Sequence, residues 1–209
     1  LKNRKIKCIY IEVLVILNSL IVMYLLFNRP EERFEIVNFV SNLSLSLRMD
    51  GMSTVFGGLI AALWPFATLF AFEYMKKEER ENSFFVFYTI TYGITLGIAF
   101  SEDLLTMYFF YELLTLVTVP LVLHTLSREA ILASRKYLYY SLGGAAFAFV
   151  GLVFIIMYGT TVNFELGGVL DMAKVGDRSN ILLLIYVMAF FGFGVKAAMW
   201  PMCEWLPQA

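Results

Sequence analysis

The chain has 209 residues, of which 60% are hydrophobic and 16% charged, and a water-soluble domain of this size rarely has so much apolar material to bury. Its formal net charge is −1, so neither nucleic acid nor an anionic membrane surface is indicated as a partner. The solvent is the lipid bilayer.

A spanning helix needs roughly 20 mostly apolar residues, and about six such runs follow one another with short polar connections. The first is Ile6–Phe27, preceded by Lys2, Arg4 and Lys5, with Lys7 at its start. No small-residue cleavage site follows Phe27, so it reads as an anchor helix and not a secretory signal. Between Arg29 and Asp50 the stretch Leu43–Arg48 alternates with period two, which suits a short half-buried strand or hairpin at the membrane surface. The second run, Met52–Phe72, contains Pro65, and the third is Phe84–Phe100. The fourth, Leu104–Leu126, opens after Glu102 and Asp103 and contains Pro120. Each internal proline frees a carbonyl one turn earlier, at Ala61 and Leu116, for water or a side chain. The fifth run is Tyr137–Tyr158. After a Gly-rich connection with at most a short helix around Val169–Lys174, the sixth covers Ile181–Trp200 and stops against Pro201. No recurring strand pattern suggests a barrel, so the fold class is an all-α membrane protein, a single transmembrane domain over residues 1–209.

Threaded alternately, the runs put Lys2, Arg4, Lys5, Lys7, Lys76, Lys77, Arg80, Arg128, Arg135 and Lys136 on one side. Arg29, Arg33, Arg48, Lys174 and Arg178 fall on the other. The excess on the first side predicts a cytoplasmic N-terminus for this multi-pass protein of the cell inner membrane. Small residues at helical spacing, such as Gly93 and Gly97, Gly144 and Ala148, and Gly57, Gly58, Ala61 and Ala62, read as close helix packing. Cys8 and Cys203 are far apart and belong to no ligand cluster. The chain is therefore expected to bind no metal, redox centre or other cofactor.

A charge at the bilayer centre costs from about 2.5 to over 10 kcal/mol, so an ionisable residue deep in a span marks function by default. Glu112 lies more than a turn past Asp103 in the fourth run, and Lys196 lies inside the sixth, one turn before Pro201. They are the opposite charges placed well inside the hydrocarbon region, and in contact they neutralise each other at small net cost. A buried lysine also changes its proton affinity when such a pair is made or broken, the property of a proton path. The bland alternative is a pair that only fixes helix register. Glu12 and Glu73 sit near the predicted cytoplasmic boundary and read as snorkelling or interfacial residues. His124, the single histidine, suits either a proton relay or an interfacial hydrogen bond to a neighbouring loop. Tyr108, Thr115 and Ser141 are polar groups able to support water along a path.

In chain order the motifs are Asp50-Gly-Met-Ser53, Met107-Tyr-Phe-Phe-Tyr-Glu112-Leu-Leu, Pro120-Leu-Val-Leu-His124, Tyr137-Leu-Tyr-Tyr-Ser-Leu-Gly-Gly144 and Gly194-Val-Lys196-Ala-Ala-Met-Trp-Pro201-Met-Cys-Glu-Trp205-Leu-Pro-Gln-Ala209. This series resembles the antiporter-like subunit family of respiratory complex I, energy-converting membrane-bound hydrogenases and multisubunit sodium/proton antiporters, from about Leu43 to the C-terminus. The resemblance implies that Glu112 and Lys196 are the ion-translocation pair of the first half-channel. It also implies that Leu43–Arg48 belongs to the outer-side hairpin, that the ion is H+ or Na+, and that the partners are other membrane-arm subunits. The chain would be a non-redox subunit of its complex, with a structural anchor and a stand-alone cation/proton antiporter as the alternative readings. Family members have about fourteen spans in two inverted repeats. This chain matches the first repeat and is expected to lack the family's first helix. It departs from the pattern at Cys203, where a histidine is common, and at Gln208, where an acidic residue is common.

Overall fold

The computed structural model describes residues 3–28, 33–40, 43–78, 80–176 and 179–208. Lys2, Arg29 and Arg178 of the charge count, and Ala209 of the final motif, lie outside the described residues. The described residues form, in chain order, α1 (Arg4–Asn28), β1 (Phe34–Val40), β2 (Leu43–Leu47), α2 (Gly51–Tyr74), α3 (Glu81–Ala99), α4 (Leu104–Val122), α5 (Arg128–Tyr158), the short α6 (Met172–Val175) and α7 (Ser179–Lys196). Among the described residues, five helices are long and apolar enough to cross a membrane, and a sixth apolar one, Asn180–Lys196, is shorter. Neighbours in sequence mostly pack as neighbours in space: α1 on α2, α2 on α3, α3 on α4, α4 on α5, and α5 on α7.

Caps set the helix starts. The Asp50 carboxylate accepts the Ser53 amide and hydroxyl, both at 2.8 Å, so Asp50-Gly-Met-Ser53 opens α2 with Asp50 as its N-cap. Asp103 caps α4 through the Thr106 amide at 2.7 Å, and Ser127 caps α5 through the Ala130 amide at 3.0 Å. Capping at Ser127 starts α5 nine residues before the predicted Tyr137, because the polar first turns continue the helix beyond its apolar part.

The hairpin pairs Phe34–Val40 with Leu43–Leu47 in antiparallel register, so the period-two stretch is its second strand. That strand docks onto the α3–α4 junction: Arg48 donates its amide to the Phe100 carbonyl (2.8 Å) and Glu102 its amide to the Ser46 carbonyl (3.1 Å). Ser46, fully buried, donates its hydroxyl to Asp103 at 2.9 Å and its amide to the Thr106 hydroxyl oxygen at 2.9 Å. The serines are thus not a solvated face. They are a satisfied polar seam that holds the hairpin to the start of α4.

At the opposite end, Glu81 pairs with Arg4 at 2.7 Å and Lys7 at 2.6 Å, joining the starts of α1 and α3. Nearer the middle of the bundle, the Ser19 and Tyr92 hydroxyls share a buried 2.7 Å hydrogen bond. Val15, Val22, Leu26, Ala61, Tyr92, Leu96 and Phe100 form the main apolar core between α1, α2 and α3.

The sixth helix differs from its predicted span. It ends at Lys196, short of Trp200, in a Schellman closure: Ala198 takes a left-handed φ of 50°, its amide donates to the Val195 carbonyl (3.1 Å), and the Met199 amide donates to the Gly194 carbonyl (2.9 Å). Pro201 cannot continue a helix and biases its predecessor away from helical backbone, so the chain turns before reaching it. After Lys196 the described residues run through turns to a three-residue 3-10 helix, Leu206–Gln208, so the helix expected to break near Pro201 ends five residues before it and does not resume as an α-helix.

Candidate functional site

The site lies where α7 stops against the middle of α4. Glu112 is eight residues past the start of α4, about 12 Å along its axis, and neither end of the helix gives it a short route to water. Lys196 is the last residue of α7, where a cation also meets the negative end of the helix dipole.

Small residues bring these helices together. A Cβ on Gly144 of α5 would stand 2.8 Å from the Gly192 carbonyl oxygen, and one on Gly192 of α7 would stand 2.6 Å from the Ala148 amide. Further along, a Cβ on Gly151 would meet the Cβ of Ala189 at 2.7 Å. The two backbones are therefore in contact, as the Gly144 and Ala148 spacing predicts. This contact sets α7 deep enough for the Lys196 side chain to reach α4.

The expected direct ion pair is not formed. Lys196 Nζ donates to the Tyr111 carbonyl at 2.7 Å and sits 4.2 Å from the Tyr111 ring centroid. The Tyr111 hydroxyl in turn donates to the Gly192 carbonyl at 3.2 Å, and the Phe193 ring meets Tyr111 edge to face at 5.5 Å. Glu112 lies within electrostatic reach of the ammonium, yet its Oε1 is buried without a protein hydrogen-bond partner. The physical reason is local. At the end of α7 the lysine side chain meets the backbone and ring of residue 111 first, and a carbonyl plus an aromatic face satisfies an ammonium well.

Polar groups line the rest of the α4–α5 seam. Tyr108, one turn before Glu112, donates its hydroxyl to the Ala145 carbonyl at 3.2 Å. Thr115 is fully buried and turns its hydroxyl to the Tyr111 carbonyl at 3.4 Å. Thr118 and Tyr137 share a hydroxyl–hydroxyl bond, and Ser141 Oγ is buried without a protein partner. After α7, Trp205 donates its indole N–H to the Val195 carbonyl at 3.0 Å and packs edge-on to Tyr137. Lys136 pairs with Glu204 at 3.2 Å.

His124 is not part of this cluster. It lies past the far end of α4, its Nδ1 2.7 Å from the Leu121 carbonyl and its ring edge against Phe84. The bond runs to its own helix end, not to a neighbouring loop, and Nε2 is buried without a protein partner. Glu73 is exposed and pairs with Lys76 at 3.1 Å, whereas Glu12 is half-buried, with one carboxylate oxygen, Oε2, buried without a protein hydrogen-bond partner. No group of His, Cys, Asp and Glu among the described residues has the arrangement of a metal site.

Sequence reasoning did not single out Tyr111 or Gly192. Their weight comes from backbone carbonyls and a ring face, and the one legible signal was an aromatic residue directly beside the membrane glutamate.

The family model for the transmembrane part of NADH:quinone oxidoreductase and Mrp antiporter proteins matches residues 101–209, which contain both Glu112 and Lys196. The chain is 29% identical over 170 residues to a Na(+)/H(+) antiporter subunit of Alkalihalophilus pseudofirmus, covering 80% of this chain and 21% of that protein. It is 23% identical over 168 residues to a Na(+)/H(+) antiporter subunit of Staphylococcus aureus, with the same coverage of 80% and 21%. It thus spans about a fifth of the length of these curated relatives. Among solved structures, a chain of the membrane-bound sulfane sulfur reductase, an archaeal respiratory membrane complex, superposes with a TM-score of 0.74 at 18% identity, over 96% of this chain and 41% of that one. With the family model matching more than half of its residues, this chain is a member of the NADH:quinone oxidoreductase/Mrp antiporter transmembrane family.

Proposed function

We propose that this chain translocates protons or Na+ in the membrane arm of a redox-driven or antiporter complex, with Glu112 and Lys196 as its ion-translocation pair. The observation that carries the reading is the Lys196 ammonium held inside the bundle at 2.7 Å from the Tyr111 carbonyl, one residue from a buried carboxylate oxygen with no protein partner. An ammonium and a carboxyl that stay close without closing a pair have the arrangement needed to exchange a proton with a path.

The Tyr108, Thr115, Thr118, Tyr137 and Ser141 hydroxyls supply the polar lining, and His124, at the far end of α4, serves as a relay toward the membrane surface. Arg4, Lys7, Lys76, Lys77, Arg80 and Arg128 share that end of the bundle, and this excess of basic residues supports a cytoplasmic position for it at the inner membrane. Other membrane-arm subunits are the partners, and their rearrangement or redox reaction supplies the driving force.

The test is ion transport in membrane vesicles carrying the parent complex, wild type against Lys196→Ala, with complex assembly monitored alongside. Transport is expected to fall at least about tenfold with assembly intact, because alanine leaves no group at this position to take up and release the proton. Unchanged transport would assign the chain to the structural-anchor reading instead.

A further inference from the structure

The acceptors available to Lys196 belong to two consecutive residues of α4. One, the carbonyl and ring face of Tyr111, is occupied. The other, the Glu112 carboxyl, has an oxygen buried without a protein partner. The ring is also fixed in place: it is buried, its hydroxyl is tied to the Gly192 carbonyl at 3.2 Å, and Phe193 closes on it edge to face. Gly192 lies one turn before Lys196 on the same helix. Tyr111 and Lys196 therefore clasp each other across α4 and α7 in both directions.

We propose that Tyr111 is a positioning residue that gives the Lys196 ammonium a second seat, held while Glu112 carries a proton. This rests on the reading of Glu112 and Lys196 as the translocating pair. With Glu112 neutral, the carbonyl dipole and the ring face are the better partners for the ammonium. When Glu112 passes its proton to a water or hydroxyl of the path, its new negative charge outcompetes the neutral seat, because hydrogen bonds between two ionised groups are stronger than those to a neutral acceptor. The ammonium then swings by side-chain rotation alone, and it returns when a proton re-enters Glu112. Tyr111 thus sets the balance between the two positions without exchanging a proton itself.

The experiment measures proton transport with a pH-sensitive dye in vesicles carrying the parent complex, across a range of pH. The variants are Tyr111→Phe, which keeps the ring face, Tyr111→Leu, which removes it, and Lys196→Ala as the control for the pair. The phenylalanine variant keeps the ring face that holds the cation but frees the ring from Gly192, so it is expected to lose clearly less transport than the leucine variant and to keep the wild-type pH profile. The leucine variant is expected to lose roughly threefold to thirtyfold, the span from an exposed to a desolvated cation–π contact, and to shift its pH profile. Wild-type behaviour of Tyr111→Leu while Lys196→Ala is inactive overturns the seat and leaves the pair intact; an active Lys196→Ala overturns the pair itself. Equal losses in both tyrosine variants with unmoved profiles also overturn the seat, since packing alone explains them. If the leucine variant does not assemble, Tyr111→Trp, with its stronger ring face, takes its place: a profile displaced from wild type supports the seat, and an unmoved one overturns it.

Discussion

Tyr111 and Lys196 hold each other by complementary groups: the ammonium donates to the tyrosine carbonyl at 2.7 Å, and the tyrosine hydroxyl donates to the Gly192 carbonyl, one turn before the lysine, at 3.2 Å. A backbone carbonyl accepts from any cationic donor of suitable reach, so the contact by itself does not require lysine. Proton exchange does, because a guanidinium stays charged under all physiological conditions. Lys196→Arg is therefore expected to assemble and keep the α4–α7 contact, yet transport at least about tenfold more slowly than wild type. Transport by the arginine variant at the wild-type rate in vesicles would show that the position needs only a fixed positive charge.

The contact depends on how closely α7 lies against α5. Gly144→Ala and Gly192→Ala each place a Cβ within 2.8 Å of backbone atoms on the facing helix, and overpacking of this kind costs about 1–3 kcal/mol. Either change is expected to lower the thermal midpoint of the purified complex and to weaken transport by lifting Gly192 away from the Tyr111 hydroxyl. Gly143, next to Gly144 in sequence, has nothing within 4 Å of its would-be Cβ. Gly143→Ala should be neutral or slightly stabilising in the same assay, since alanine is the better helix former; equal losses at Gly143 and Gly144 would show that the close approach is unimportant.

The spanning helices were legible because lipid demands long apolar runs, and the starts of α2 and α4 are marked by Asp50 and Asp103, residues whose side chains accept the first free amides, whereas the start of α5 at Ser127 was not, because its first turns are polar. The end of α7 was not legible. A left-handed residue at a helix terminus is usually glycine, and here Ala198 takes that place, so the sequence runs on without a visible stop until Pro201. The first hairpin strand, Phe34–Val40, lacks the clean alternation of its partner and was missed for that reason. At the site, Glu112 and Lys196 stood out as charges in apolar runs. Their relation did not, because the acceptor that holds the lysine is a main-chain carbonyl, which every residue carries and no motif records.

Asp103 joins the hairpin to α4. Its carboxylate accepts the Thr106 amide at 2.7 Å, the Thr106 hydroxyl at 2.8 Å and the Ser46 hydroxyl at 2.9 Å, all in a buried setting. Asp103→Ala removes an N-cap and leaves two buried hydroxyls with lost partners, a combined cost of about 2–4 kcal/mol. The expected result is faster amide exchange in both Leu43–Leu47 and the first turn of α4, read by hydrogen-exchange mass spectrometry on the purified complex. Faster exchange in α4 alone would show that the hairpin is held by its other contacts.

The cap of α2 adds a pH dependence whose sign follows from its surroundings. Burial pushes the Asp50 carboxyl upward, but the Ser53 amide and hydroxyl and the nearby Arg48 charge outweigh it and hold the group below the usual carboxylate value. A group whose folded value is depressed contributes stability above its unfolded value and loses it as pH falls through the folded one. Asp50 therefore stabilises the start of α2 at neutral pH and ceases to do so in acid. Asp50→Ala should cost about 1 kcal/mol at neutral pH, seen as faster amide exchange at Met52–Thr54 after correction for the intrinsic rate. That difference from wild type should shrink as pH is lowered through and below the ordinary carboxylate range. A difference that stays constant with pH would assign the cap to the shape of the turn and not to the charge of its carboxylate.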